Sequence, residues 1–280
     1  MTPPTGALCR RRCGSGTIAG VSDTSRQDSA QRFYDDLAGT YDLIFADWER
    51  SMARQAAALD ALIRAQFGGG VVRVLDCACG IGTQLIGLAA LGYVMSGTDL
   101  SPVAVARADR ECRARGLTAD LRPADMRDLP HADAGFDVVV CADNSLPHLL
   151  TEDDVEQALR QMRRVVGPGG LVVVTTRDYD AVVAERPTTA PVQRSRVDDL
   201  RVVTTQLWDW HGDSPVYDVT HLQVREIGAG QWTTAARTTT YRAWTRAELT
   251  TLAAEAGLRD TQWIAPEDSG FFQPVMLAHR

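Results

Sequence analysis

Between residues 71 and 176 the chain repeats one pattern: a short apolar run rich in β-branched residues, a turn, then a stretch with helical spacing. Val71 to Cys77, Tyr93 to Thr98, a shorter run around Leu121, Phe136 to Ala142 and Leu171 to Thr176 are the runs. Runs that are apolar throughout, rather than alternating, belong to strands buried on both faces. Parallel neighbours of this kind are joined by crossovers, usually helical. The pattern therefore predicts a doubly wound α/β sheet.

The punctuation between the runs agrees. Ser101-Pro102 starts a helix with Pro in its first turn, running to about Arg115 with Gly116 as its cap. Thr151-x-x-Asp154 resembles a capping box, and its helix reaches Val166, where Gly167-Pro168-Gly169-Gly170 stops it. Ahead of the first strand, Met52, Ala56, Leu59 and Ile63 recur at helical spacing within Asp47 to Ala65, and Gly68-Gly69-Gly70 ends that helix. Phe33 to Phe45 carries aromatics on a helical or loop scaffold.

After Tyr179 the character changes. Residues 181–196 read as a polar, Pro-containing connection. Arg201 to Trp210, Tyr217 to Ile227 and Gln231 to Trp244 then read as a three-stranded antiparallel insertion rich in Val, Thr, Trp and Tyr. Thr245-x-x-Glu248 is a capping box for a helix ending at Gly257, and strands near Thr261 to Ala265 and Phe271 to Ala278 complete the main sheet. The expected organisation is a disordered tail over 1–28, an N-terminal helical cap over 29–70, a core over 71–180 and 245–280, and an antiparallel β insertion over 181–244.

A net charge of −7 leaves no basic footprint, so a nucleic-acid partner is not expected. All 29 basic residues are Arg, as codon usage in a GC-rich genome would favour. No apolar run approaches the roughly 20 residues that span a bilayer, and Arg10, Arg11 and Arg12 are not followed by the apolar segment of a signal peptide. Cys77, Cys79 and Cys141 end apolar strands, where Cys serves as a small buried hydrophobe. Cys9 and Cys13 lie in the tail, and no spacing suggests a metal site. A cytoplasmic protein with reduced thiols is expected.

The chemistry gathers at strand ends. The first run finishes in Asp76-Cys77-Ala78-Cys79-Gly80-Ile81-Gly82-Thr83, a turn in which glycines let backbone approach a ligand. A nicotinamide fingerprint would need Gly or Ala where Leu85 stands. Asp99 ends the second run and is placed to accept from both hydroxyls of a ribose, or simply to cap the next helix. Asp125, in Ala124-Asp125-Met126, ends the third. It would accept from an exocyclic amine while the Met126 N–H meets a ring nitrogen, or it is an exposed loop acid. Open α/β sheets bind ligands at this edge.

Together with Gly167-Pro168-Gly169-Gly170, these segments resemble the motif series of class I S-adenosylmethionine-dependent methyltransferases, from roughly Ser29 to the C-terminus. Ala78 stands where that family usually has its first loop glycine. The resemblance implies a Rossmann-like seven-stranded sheet, mostly parallel with the last strand antiparallel. Its implied cofactor is S-adenosyl-L-methionine, leaving as S-adenosyl-L-homocysteine, in contact with Asp76, Ala78, Gly80, Gly82, Thr83, Asp99, Leu100, Ala124, Asp125, Met126 and Cys141.

Within that superfamily the chain most resembles glycine/sarcosine N-methyltransferases. Phe33-Tyr34-Asp35-Asp36 and Tyr41-Asp42-x-x-x-x-Asp47-Trp48 fit the segment that folds over the cofactor there. Asn144-Ser145-x-x-His148-Leu149 fits a loop on the substrate side, and Arg177-Asp178-Tyr179-Asp180 fits that family's R-N-Y-D, with Asp178 in place of Asn. By that resemblance Tyr34, Tyr41, Trp48 and Arg54 enclose the cofactor, although Trp48 and Arg54 also fit packing and solvent roles. The acceptor side is Asn144, His148, Arg177 and Tyr179, with Asn144 and Arg177 on a substrate carboxylate. His148 reads as a base, a contact or a structural residue. Trp208, Trp210, Tyr217, Trp232 and Tyr241 either line the acceptor pocket or pack the insertion.

The expected reaction is in-line methyl transfer to the amine nitrogen of an amino-acid-like small molecule, driven by alignment and needing no indispensable base, the amine losing its proton before binding or through a weak base such as His148 or Asp143; alignment supplies up to roughly 7–11 kcal/mol. The alternatives are a C- or O-methyltransferase of a specialised metabolite, and a non-catalytic adenosylmethionine-binding module. The expected partner is a small-molecule acceptor, with no nucleic acid and no membrane; a homo-oligomer stays open.

Overall fold

A computed structural model describes residues 23–70, 72–197, 199–228 and 230–280, with side chains from residue 29 onward. The chain begins with α1 (Asp23–Leu37), a 3₁₀ segment (Ala38–Ile44) kinked at Thr40, and α2 (Trp48–Phe67). α1 starts inside the stretch expected to be disordered; no Gly or Pro interrupts it, and it lies against later elements of the fold. The remainder of that expectation falls outside the described residues. Asp47 caps α2 by accepting from the Arg50 N–H.

The alternation then runs β1 (Arg73–Asp76), α3 (Thr83–Ala90), β2 (Val94–Asp99), α4 (Pro102–Ala114), β3 (Asp120–Pro123), β4 (Phe136–Cys141), α5 (Glu152–Val165) and β5 (Val166–Thr175). A short α6 (Tyr179–Glu185) leads into β6 (Gln193–Val197), β7 (Leu200–Trp210), β8 (Val216–Gly228) and β9 (Gln231–Arg242). The chain closes with α7 (Arg246–Glu255), β10 (Arg259–Ile264), α8 (Pro266–Ser269) and β11 (Val275–His279).

The main sheet has seven strands in the order β10-β11-β5-β4-β1-β2-β3. β11 is antiparallel to both its neighbours, and the pairs from β5 across to β3 are parallel. Strand direction explains the uniform apolar runs. Val138 and Val140 of β4 enter the core beneath α2 and α3, while Val139 and Cys141 enter the one beneath α5 and α7. Amphipathic α5 contributes Val155, Ala158, Leu159, Met162 and Val165 to the latter. The expected cysteine burial holds: Cys77, Cys79, Cys112 and Cys141 are free thiols inside the cores.

Two differences from the expected pattern are instructive. The 167–170 glycine-rich run does end α5, but it lies within β5 as a bulge: Phe136 pairs with Val166, and Val138 next with Leu171. A Cβ on Gly170 would come within 2.8 Å of the Asp137 carbonyl, so glycine is required there. The insertion also has four strands, in the order β6-β7-β8-β9. β6, with its mostly exposed edge residues, carries no apolar signal and was read as loop. Tyr217, Val219, His221 and Gln223 alternate inward along β8. Gln223 clasps the N-terminal segment, donating to the Thr40 carbonyl at 3.0 Å and accepting from the Thr40 hydroxyl at 2.8 Å.

Candidate active site at the carboxyl edge of the sheet

Strand order reverses between β1 and β4, and ligands of open α/β sheets bind outside such a reversal. The turn after β1 places Gly80 at φ 51° and Gly82 at φ 98°, conformations that favour glycine. Ala78 is not in the left-handed region, so its methyl is tolerated; its N–H donates to Asp76 Oδ1 at 3.3 Å. Asp76 Oδ2 is buried and has no hydrogen-bond partner. Burial raises the Asp76 carboxyl to about 7, with the Asp99 and Asp143 charges adding to the shift.

Asp99 stitches this turn to the next. Its Oδ2 accepts from the Gly80 N–H at 2.8 Å and its Oδ1 from the Ser101 N–H at 2.9 Å. Each oxygen keeps a further lone pair. Asp125 accepts from the Arg127 N–H at 2.8 Å and from its guanidinium at 2.9 Å, so this acid is held in place by a cation.

Two cavities open here. The first is walled by Ala78, Gly80, Asp99, Leu100, Asp125 and Met126, with Thr83, Ala124 and His148 also contributing. The second, about 890 Å³, lies under the insertion and is walled by Asn144, Arg177, Gln206, Trp208, His221 and Tyr241. Tyr34, Tyr41 and Asp143 line both.

Some residues singled out from the sequence sit elsewhere. Arg54 is exposed at the second cavity rather than the first. Trp48 donates its indole N–H to Thr83 Oγ1 at 2.9 Å and stacks beneath Arg107 and Arg115, so it buttresses the turn from outside. Gly82 and Asp76 support the first cavity without lining it, and Cys141 is core, the wall at that point being Ala142. Tyr179 is wholly buried and lines neither cavity; its hydroxyl is 3.0 Å from that of Tyr217. Of the insertion aromatics, Trp208 and Tyr241 line the second cavity. Tyr217 and Trp210 stack in the interior, and Trp232 lies exposed under Arg201.

Arg177 is the cation on the floor of the second cavity, which exposed Arg50 and Arg54 also line. Its guanidinium donates to Gln206 Oε1 at 2.8 Å and Tyr217 Oη at 3.3 Å, and its carbon lies 4.6 Å from the Trp208 ring centre. The Arg177 N–H donates to Asn144 Oδ1 at 3.0 Å, while Asn144 Nδ2 is buried without a partner. His148 meets the Tyr34 hydroxyl at 2.8 Å through Nε2 and the Thr239 hydroxyl at 3.4 Å through Nδ1. Burial, with the Arg177 charge nearby, pushes its imidazole down to about 3, which removes it as a base near neutrality. The sequence offered Asp143 only as a weak base, and gave no sign of Gln206 and His221. These two come from insertion strands whose cavity-facing parity only the fold reveals.

Residues 74–170 match the methyltransferase-domain family model. The chain is 34% identical over 154 residues to a glycine/sarcosine N-methyltransferase of Parasynechococcus marenigrum (strain WH8102), covering 55% of this chain and 53% of that protein. It is also 34% identical over 139 residues to a dTDP-3-amino-3,6-dideoxy-alpha-D-glucopyranose N,N-dimethyltransferase of Streptomyces fradiae, covering 50% and 52%. Residues 74–170 carry a methyltransferase domain. The chain spans about half the length of the curated relatives it matches. In fold it is similar over 98% of its length to the sugar N-methyltransferase KedS8 from Streptoalloteichus sp ATCC 53650, at a TM-score of 0.71 and 20% identity over 99% of that chain. Among the described residues no helix is long and apolar enough to cross a membrane.

Proposed function

We propose that this chain transfers a methyl group from S-adenosylmethionine to the amine nitrogen of an amino-acid-like acceptor. The observation that carries this reading is Arg177: a half-buried guanidinium in no ion pair among the described residues, facing a cavity that adjoins another suited to the cofactor. The Asp143 charge acts on it from the junction of the cavities, but no carboxylate occupies its fork, and a ligand can supply one. An acceptor carboxylate fits that fork. Asn144 Nδ2, the unpartnered donor beside it, would complete the cradle.

The donor set fits the cofactor. Asp99 has acceptor capacity left for a ribose, the unsatisfied Asp76 oxygen lies behind the turn, and Asp125 and Met126, which line the same cavity, would meet an adenine edge. When bound, the cofactor supplies a methyl already activated by its sulfonium. Tyr34 and Tyr41, at the junction of the cavities, present faces that attract a cation by about 0.5–2 kcal/mol. Their phenols, pushed up by burial, stay neutral.

A second reading keeps the amine and enlarges the acceptor to an amino sugar. A cavity of about 890 Å³ is spacious for glycine, and the matching Streptomyces fradiae protein is named for a sugar amine. A turnover assay by mass spectrometry with glycine, sarcosine, dimethylglycine, amino sugars and phenols separates the readings. Methylated amino acids support the first, methylated amino sugars the second. Methylation of phenols alone, with cofactor bound, refutes both.

A further inference from the structure

We propose that Asp143 is the group that binds the acceptor amine, so that Arg177 and Asp143 together select a zwitterion. This rests on the amine reading above and adds the residue that meets the nitrogen.

Asp143 is one of three side chains lining both cavities, and the other two, Tyr34 and Tyr41, are neutral phenols. Of the side chains shared by the two cavities, Asp143 is the one that can carry a charge to meet a nucleophile reaching from one to the other. The backbone is bent to put it there. Asp143 and Asn144 are consecutive residues at φ 56° and 65°, a left-handed bend that Asp and Asn adopt more readily than other non-glycine residues. The bend is held by the Asp143 N–H on Thr175 Oγ1 at 2.9 Å and the Asn144 N–H on the Thr175 carbonyl at 3.1 Å. Thr175 Oγ1 is itself anchored on Gln273 Oε1 at 2.8 Å. These bonds fix the direction in which Asp143 leaves the backbone.

Asp143 has no salt-bridge partner among the described residues. The groups that act on it come from every side: Tyr41 from the 3₁₀ segment, Arg177 after β5, Asp76 from β1 and Tyr241 from β9. Burial raises its carboxyl to about 6, against the lowering effects of Arg177 and a Tyr41 hydrogen bond. It is therefore largely ionised at neutral pH. His148, held neutral with both ring nitrogens engaged, does not compete for the role.

The chemistry follows. The ammonium of the bound zwitterion first gives one proton to Asp143, which passes it to water. The neutral amine then donates a remaining N–H to Asp143 and keeps its lone pair for the new N–C bond, which would form as the methyl–sulfur bond breaks with its electron pair going to sulfur. Positive charge grows on nitrogen as the N–C bond forms, and a half-buried carboxylate beside it lowers the barrier. The product ammonium then passes a proton to Asp143: the N–H bond breaks with its electron pair staying on nitrogen, an O–H bond forms, and the proton leaves to water.

The test uses D143N in the whole chain; Asn tolerates positive φ, so the bend survives. Cofactor affinity is expected to hold, while kcat/KM for the methylated amine falls about 100-fold. Below about pH 6 the wild-type log kcat/KM should steepen from a one-proton to a two-proton slope, and D143N should keep the one-proton slope. Independently of turnover, calorimetry on protein loaded with S-adenosylhomocysteine should show glycine bound more tightly than acetate, a preference lost in D143N. Amine methylation with an unchanged glycine preference and pH slope in D143N overturns the Asp143 role alone. Methylation of no amine, with cofactor bound, overturns both this and the reading beneath it.

Discussion

Replacing Arg177 with alanine separates acceptor binding from everything else the site does. The guanidinium touches the second cavity and does not line the first, so cofactor affinity should stay within about twofold of wild type. The loss falls on the acceptor. Truncating one member of a buried, hydrogen-bonded charge pair costs about 2–5 kcal/mol, or roughly 30- to 4,000-fold in kcat/KM. Folding should survive, because the groups left behind keep partners. Gln206 Oε1 still accepts from the Trp208 indole N–H at 3.2 Å, and the Tyr217 hydroxyl still meets that of Tyr179 at 3.0 Å. Removing a cation with no ion pair also relieves a desolvation cost. R177K should fall between the two, since an ammonium keeps the charge and loses the planar fork. The assay pairs mass-spectrometric turnover of the true acceptor with calorimetric titration of S-adenosylhomocysteine. Acceptor kinetics unchanged in R177A, with normal cofactor binding, would refute the anchor.

Three further outcomes are expected. D99N keeps a single acceptor oxygen in place of the carboxylate, so it should weaken cofactor binding by about 1.5–3 kcal/mol in calorimetry; wild-type affinity would remove Asp99 from the cofactor site. His148 and His221 are buried with imidazoles lowered to about 3 and about 4, so their stabilisation is complete above pH 6.5 and lost as pH falls through that value toward the folded ones. His148 alone accounts for roughly 4–5 kcal/mol across the full window, and a melting temperature that H148N leaves equally acid-sensitive would argue against it. G97V should destabilise the fold by about 1–3 kcal/mol, because a Cβ there meets Leu85 Cδ1 at 2.4 Å and Leu121 Cδ2 at 2.7 Å; an unchanged melting temperature would show that α3 can shift to make room.

Much of the main sheet was legible because its signals are local. The runs at Val138–Cys141 and Leu171–Val174 are apolar at every position since both faces are covered, and that shows in sequence without knowledge of the neighbours. Helix starts are equally local: the side chains of Ser101, Thr151 and Thr245 each cap the helix that follows, and Thr245 with Glu248 forms the full reciprocal box. β6 was missed because its pairing with β7 is made by backbone groups that carry no side-chain signature.

The sequence alone determined the order of elements, the turn chemistry after β1 and the acids that close β1 and β2, because capping, glycine geometry and burial periodicity act over a few residues. Only the tertiary structure decided what those residues face. It sent Arg54 to the second cavity and Trp48 behind the turn after β1, left Tyr179 in the interior, and brought Gln206 and His221 from the insertion to Arg177 and its cavity. It also bent the chain at Asp143 until a carboxylate stood between two cavities. A one-residue change of strand register or a left-handed bend reverses where a side chain points, and both are settled by packing between segments far apart in the chain.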